Sequence, residues 1–272
     1  MEAIGEGVRH VVLAVARIDL GVNTREYIKS IEETLNHVSD RVSALLISPP
    51  IGPLYDTLRG RKKYTSYKNN LNNLLSRLSS LSRRRGVTIM LSPVLKRAGN
   101  KLYVTNVIVP PIGTPRVRGR SMVPLTEGIA GGSELEMVKV DSVNLCFSIS
   151  KDLEIPEISR ICLFKRGDAI IAVNPPLITR RNPELTLYLA MARARENRIP
   201  IIGIGGYAEE GNIQQPTFIV RSDGRVAEVS DTPEPNIFEI EVPASMRQYN
   251  LELAKKYTKI VKEYIIKGFH LY

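Results

Sequence analysis

The sequence predicts a layered α/β fold, with mixed sheets covered by helices, and three observations carry that expectation. Short apolar runs rich in β-branched residues alternate with segments whose apolar residues recur at helical spacing. Two hairpin signals, Ala98-Gly99-Asn100 and Asp223-Gly224, interrupt the alternation, which argues against a purely parallel sheet. No stretch is poor enough in apolar residues to divide the chain. Residues 1–245 therefore read as one domain and 246–272 as a C-terminal helical extension.

The elements follow in order. VVLAVARIDLG (11–21) opens as a buried strand, and Asn23 or Thr24 caps a helix carrying Tyr27, Ile28, Ile31, Leu35 and Val38 on one face. SALLISPP (43–50) is a short buried strand stopped by two prolines. NNLLSRLSSLSRRRG (72–86) aligns Leu71, Leu74, Leu75, Leu78 and Leu81 and ends at Gly86. Residues 87–95 and 101–110 read as strands around the Ala-Gly-Asn turn, and the Pro- and Gly-rich 110–132 as a long loop. VNLCFSIS (143–150) is a strand, 156–167 a helix, 168–176 a strand and 184–198 a helix. Strands follow at 200–206, across the 217–229 hairpin and at 237–243. The tail, 246–267, places Leu253, Tyr257, Ile260, Val261 and Tyr264 on one helical side.

A chain of 272 residues buries about three quarters of its unfolded surface and folds without covalent staples. The two cysteines, Cys146 and Cys162, make no disulfide framework and suit a reducing cytosol, with Cys146 read as a small buried apolar residue. The start, MEAIGEGVRH, carries glutamates before any long apolar run, unlike a secretory signal. No apolar run approaches the roughly 18 residues that span a bilayer. A soluble, cytoplasmic protein without a membrane partner is expected. His10, His37 and His270 show no ligand spacing, and Gly203–Gly206 precede no phosphate-cradling helix, so neither a metal nor a cofactor is expected. Lys165-Arg166 reads as a helix C-terminal cap.

Charge is unevenly spread. Between Asp56 and Glu127 there is no acidic residue, while fifteen Lys and Arg occur there; the interval contributes +15 to a net +10 and leaves the remainder at −5. A solvated face is one reading of such a run. Ordinary surfaces, however, intersperse the two signs, and a one-signed face attracts phosphates by releasing counterions. The candidate anion-binding residues are Arg59, Arg61, Lys62, Lys63, Arg83, Arg84, Arg85, Arg116, Arg118 and Arg120, with nucleic acid or another polyanion as partner.

The order of elements, and the motifs they carry, resemble the nitrilase or carbon–nitrogen hydrolase superfamily over about residues 9–243. ALLISPP stands where the family has strand then Phe-Pro-Glu. RRRGVTIMLSPVLKRAGNKLYVTNVIV is similar to its Gly-Val, strand, turn, Lys-Leu-Tyr-Asn-Thr section. SISKDLEIPEISRICLFKRGDAIIAVNPP resembles its Cys-Tyr-Asp-Leu-Arg-Phe-Pro-Glu elbow, helix and Gly-Ala-Asp strand. LYLAMARARENRIPIIGIGGY resembles its Arg-Ala-Ile-Glu-Asn helix and the next strand, and FIVRSDGRVAEV its late hairpin. The resemblance implies a four-layer α-β-β-α sandwich, paired as a homodimer through the elbow-region helices. It also implies hydrolysis or formation of non-peptide C–N bonds by a Cys nucleophile, a Glu base and a Lys that stabilises the oxyanion.

The motif positions have diverged. The glutamate falls on Pro50, which has no side-chain proton to exchange. The lysine falls on Gly119, with Arg118 and Arg120 as neighbours that are candidates to reach inward. The cysteine falls on Ser150, flanked in register by Lys151, Asp152, Pro156 and Glu157. The family's additional acidic residue near Lys96 has no counterpart. A serine without an adjacent base is a weak nucleophile. The expectation is therefore a degenerate nitrilase-like binding or scaffold protein with no catalytic residue at Pro50, Gly119 or Ser150. The alternative is a divergent C–N hydrolase with a serine-based site, and the old pocket is a further candidate to hold an anionic metabolite between Arg116, Arg118 and Arg120.

Overall fold

Two six-stranded sheets stack face to face in the computed structural model, which describes residues 10–50, 57, 63–124, 128–173, 183–208, 213–243, 252–253 and 255–259. Sheet 1 holds, in spatial order, β14 (Asn236–Pro243), β1 (His10–Arg17), β2 (Val42–Ile47), β3 (Thr88–Ala98), β4 (Lys101–Val109) and β5 (Arg116–Arg120). Sheet 2 holds β13 (Val226–Ser230), β12 (Thr217–Val220), β9 (Ile201–Ile204), β8 (Ala169–Val173), β7 (Val143–Ile149) and β6 (Met137–Val140). A small hairpin, β10 (Gly206–Ala208) with β11 (Ile213–Gln215), stands apart. The crossovers β1 to β2, β2 to β3, β7 to β8 and β8 to β9 are parallel and the other pairs antiparallel, so the sheets are mixed as the hairpin signals predict.

The layers follow from strand alternation. Leu13, Val15, Leu46, Met90 and Val104 of sheet 1 meet Leu145, Phe147, Ile171 and Ile202 of sheet 2 in a central core. The opposite face of sheet 1 packs Ala14, Leu45, Ile89 and Val107 against α1 (Thr24–His37) and α2 (Tyr64–Arg85). The outer face of sheet 2 packs Cys146, Ile170 and Phe218 against α3 (Pro156–Phe164) and α4 (Pro183–Asn197). Helix, sheet, sheet, helix is the expected order.

Several elements differ from the sequence reading. α2 begins at Tyr64, eight residues before the predicted start, because Tyr67 extends the Leu74, Leu78, Leu81 stripe and its hydroxyl accepts a hydrogen bond from Leu95 N (2.9 Å). β5 lies inside the predicted long loop: its Arg-rich sequence has little strand propensity, but pairing with β4 imposes the extended form. Arg17, at the end of the first strand, is fully buried. Its guanidinium donates to the carbonyls of Thr232 (2.5 Å), Asp231 (3.2 Å) and Gln215. Burial lowers its pKa, opposed by the nearby Asp231.

The cysteine reading is corrected. Cys146 and Cys162 form a disulfide: β7 and α3 fold back on each other and bring Cα atoms 16 residues apart in sequence to 5.9 Å. A Cβ on Gly167 would lie 2.3 Å from Cys162 Sγ, so only glycine fits there. Lys165 is the C-cap of α3 as expected, its backbone N–H donating to Ile161 O (2.9 Å), while its Nζ turns away to donate to Leu135 O (2.8 Å) and pair with Glu134 (2.6 Å). Leu253 and Tyr257, in the described part of the C-terminal segment, pack on the α3/α4 layer, with Arg160 over the Tyr257 ring at 4.3 Å. No helix among the described residues is long and apolar enough to cross a membrane.

Candidate functional site

β7 ends at Ile149, and Ser150–Glu154 form one 3-10 turn before Pro156 starts α3 with its fixed φ. Asp152, fully buried, braces this elbow. Its carboxylate accepts Ile149 N (3.0 Å) and Val123 N (2.8 Å), and Ser121 Oγ lies at 3.4 Å. Burial pushes the Asp152 carboxyl pKa up, while the hydrogen bonds from Val123, Ile149 and Met122 pull it back. Arg193 of α4 holds the turn from the other side. Its Nε donates to Leu153 O (3.2 Å), its Nη2 to Glu154 O (3.3 Å) and its Nη1 to Glu196 (3.1 Å). Asn197 Nδ2 in turn donates to Arg193 O (2.9 Å).

Ser150 heads the turn; its side chain lies outside the described residues. Gly119 sits on β5 beside the elbow strand, where a Cβ would meet Phe147 Cβ at 3.9 Å. It has φ +67°, and the same Cβ would lie 2.8 Å from Asn106 Nδ2. Its N–H donates to Glu136 Oε2 (2.7 Å). The glycine is the extra residue of a β-bulge, since Arg118 pairs with Asn106 and Arg120 with the adjacent Thr105. Asn106 is held by Ser92 Oγ and by its own bond to Arg118 O (3.2 Å). Pro50 follows β2 and lines a void of about 30 Å3 with Thr24, Tyr67, Asn70, Leu71 and Leu74, the helix layer over sheet 1.

The bulge decides where the arginines go. Residues opposite Thr105 and Asn106 point to opposite faces, so Arg118 and Arg120 diverge. Arg120 stacks over Tyr103 at 4.3 Å, whereas Arg116 and Arg118 line a separate cavity with β6. The structure therefore does not bring Arg116, Arg118 and Arg120 together as one anion cradle. Among the basic candidates, Arg59, Arg61 and Lys62 lie outside the described residues. Lys63 is the exposed N-cap of α2. Arg83, Arg84 and Arg85 are exposed at its C-terminal end, but Arg84 is paired with Glu32 (2.6 Å) and Arg85 bonds Asn36. Sequence reasoning missed Arg193 as the elbow's clamp, although its Arg-Ala-x-Glu-Asn setting (193–197) was visible, and missed Glu136.

No family model matches the chain, and no curated protein matches its sequence. Solved structures do match. One is a mutant amidase from Nesterenkonia sp. AN1 carrying the acetamide moiety of fluoroacetamide on its active-site cysteine: TM-score 0.71, 13% identity, covering 93% of this chain and 96% of that one. Another form of that amidase, described as from the nitrilase superfamily, gives TM-score 0.71 and 15% identity over 94% of this chain and 100% of that one. A carbon–nitrogen hydrolase from Helicobacter pylori G27 gives TM-score 0.70 and 14% identity over 90% and 93%. With two stacked six-stranded sheets between helix layers and a braced elbow after β7, this chain has the nitrilase-superfamily fold.

Proposed function

We propose that this protein is a catalytically degenerate member of the nitrilase superfamily that works as a binding or scaffold protein for a polyanion, nucleic acid in particular. Gly119 carries the first half of the reading. A lysine there would be strained as well as absent: φ is positive, and a Cβ would press on Nδ2 of Asn106, whose side chain is held by Ser92 and by its own bond to Arg118 O. With proline at the base position, the usual acyl-enzyme has neither proton acceptor nor fixed cation. Purified protein incubated with amides, N-carbamoyl compounds, nitriles and acyl esters gives no turnover above background. Turnover that disappears in Ser150→Ala overturns this and favours the second reading, a serine-based C–N hydrolase, for which the intact elbow brace is the supporting observation.

The second half rests on α2. Its 22 residues contain no carboxylate. Its leucines face the sheet, and Lys68, Asn69, Asn72, Asn73, Arg77 and Arg83 are exposed on the other side. Asn and Ser supply hydrogen bonds to phosphate oxygens and Arg the charge, which suits sequence-independent backbone contacts. Anisotropy titration with single- and double-stranded DNA and RNA shows binding at low salt that weakens steeply as salt rises. Lys68→Ser/Arg77→Ser/Arg83→Ser weakens all of them alike. No affinity at low salt means that this face is only solvated.

The scaffold is also proposed to be a homodimer through the α3/α4 layer. Ile155, Phe164, Leu185 and Tyr188 are exposed there, and α4 carries apolar residues around its whole circumference. Light scattering that returns a strict monomer removes this part.

A further inference from the structure

We propose that the groove between the open edges of β5 and β6, at the end of the sandwich away from the elbow, binds a small organic anion: a carboxylate or phosphate ester on an apolar body about the size of an aromatic ring. The site is a cavity of about 360 Å3 bounded by the start of β3 at Thr88, the β4–β5 connection at Pro110 and Ile112, and the β6–β7 turn at Asp141. β7 runs from this end toward the elbow, so the groove lies at the opposite end of that strand from Ser150, while Gly119 directly follows Arg118 on β5.

Strand geometry builds the groove. Arg116 and Arg118, two residues apart, pair with Ile108 and Asn106 and share the face of β5 that looks toward sheet 2. Across the open edge, Val138 and Val140 of β6 belong to the central core and supply an apolar floor. Lys139 also borders the groove, but strand alternation turns its side chain with Met137 toward the outer face of sheet 2. Among the described residues none of the three is in an ion pair, and Asp141 is the one carboxylate that lines the groove. Ile112, 90% exposed, overhangs the mouth. Two guanidinium forks above valines match a ligand with an anionic head and an apolar body, because a fork takes carboxylate or phosphate through two parallel bonds. The volume lies at the small end of ligand pockets.

The rival account is that the arginine stems merely cover the sandwich edge while their heads stay in water. The α2 face is on the far side of sheet 1, so this site is tested apart from the polyanion reading.

Calorimetric titration of the full chain at low salt with phenyl phosphate, 2-naphthoate, neutral benzamide and inorganic phosphate decides between them. The two aryl anions bind, benzamide gives no heat, and inorganic phosphate binds about tenfold more weakly than phenyl phosphate for want of an apolar body. Arg116→Ser/Arg118→Ser raises the dissociation constant for both aryl anions by about tenfold or more. Ile112→Ser weakens the aryl anions about threefold and leaves inorganic phosphate unchanged. Arg120→Ser, on the other face over Tyr103, changes nothing. Should the double serine variant fold poorly, Arg116→Lys/Arg118→Lys keeps the charge, loses the forks and still weakens aryl binding. Absence of aryl-anion binding at millimolar concentration, or an equal loss in Arg120→Ser, overturns the proposal in favour of stems that only cover the edge.

Discussion

At the elbow, Asp152 receives the backbone N–H groups of Ile149 and Val123 while Arg193 donates to the carbonyls of Leu153 and Glu154, so the turn is held from both sides. On β5, beside the same strand, Gly119 occupies a left-handed position where a Cβ would press on Asn106 Nδ2, and Pro50 packs under the helices of sheet 1. Both regions lie near the ends of strands that share one core. The turn after β7 is braced from both sides, and β5 beside it bulges around a glycine. On the proposed reading bracing and chemistry are separable, because the turn's hydrogen bonds stabilise the folded chain whether or not anything reacts at residue 150.

Four perturbations test that separation, the largest first. Arg193→Met leaves the carbonyls of Leu153 and Glu154 and the Glu196 carboxylate without their buried donor, and unfolding measurements show a loss of about 3–4 kcal/mol. Any smaller effect than at Gly119 means that the elbow is not held from α4. Replacing both Cys146 and Cys162 with alanine removes a link that closes a 16-residue interval and costs about 3 kcal/mol in denaturant titration. The bond is fully buried, so thiol labelling after native treatment with reductant finds no free cysteine, whereas labelling after unfolding in reductant finds two.

Gly119→Ala costs about 2 kcal/mol from the positive φ and the contact with Asn106 Nδ2. A neutral result there would mean that a lysine side chain can be restored and that the wall is merely unoccupied. Asp152→Asn has the smallest effect, about 1–2 kcal/mol, since an amide presents one donor where two backbone N–H groups already point. Its pH dependence has a defined sign. The folded pKa of Asp152 is raised, so its contribution is full below about pH 4 and is lost as pH rises through the folded value. The stability gap between wild type and Asp152→Asn therefore narrows over that rise, and a gap that widens contradicts the assigned shift.

Much of the frame was readable because it is written in local patterns. Asn23 caps α1 by accepting Arg25 N and Glu26 N, as its position before the apolar stripe implies. Gly86, φ +68°, ends α2 where the leucine repeat stops, and Asp223-Gly224 turns the late hairpin. The site was readable only as a set of positions. Nothing in Arg116–Arg120 announces that Gly119 is a bulge, because bulging is a property of the pairing with Thr105 and Asn106 and not of the strand's own residues. Reading β5 as a loop, and its three arginines as one cluster, is the direct consequence.

The sequence by itself determined the order and type of most elements and a layered α/β fold of the nitrilase kind, and it set Pro50, Gly119 and Ser150 as the positions on which the proposed loss of catalysis rests. These depend on periodicity and residue identity, which one dimension records. Tertiary structure alone decided that Cys146 and Cys162 meet, that Arg193 clamps the elbow, and that Arg118 and Arg120 part company. It also decided that Arg84 and Arg85 reach partners on α1, Glu32 and Asn36, while Lys68, Arg77 and Arg83 face solvent. Each of these depends on which distant strand or helix lies within a few ångströms. That distance is set by how the layers stack, and a linear pattern of charges and apolar residues does not encode it.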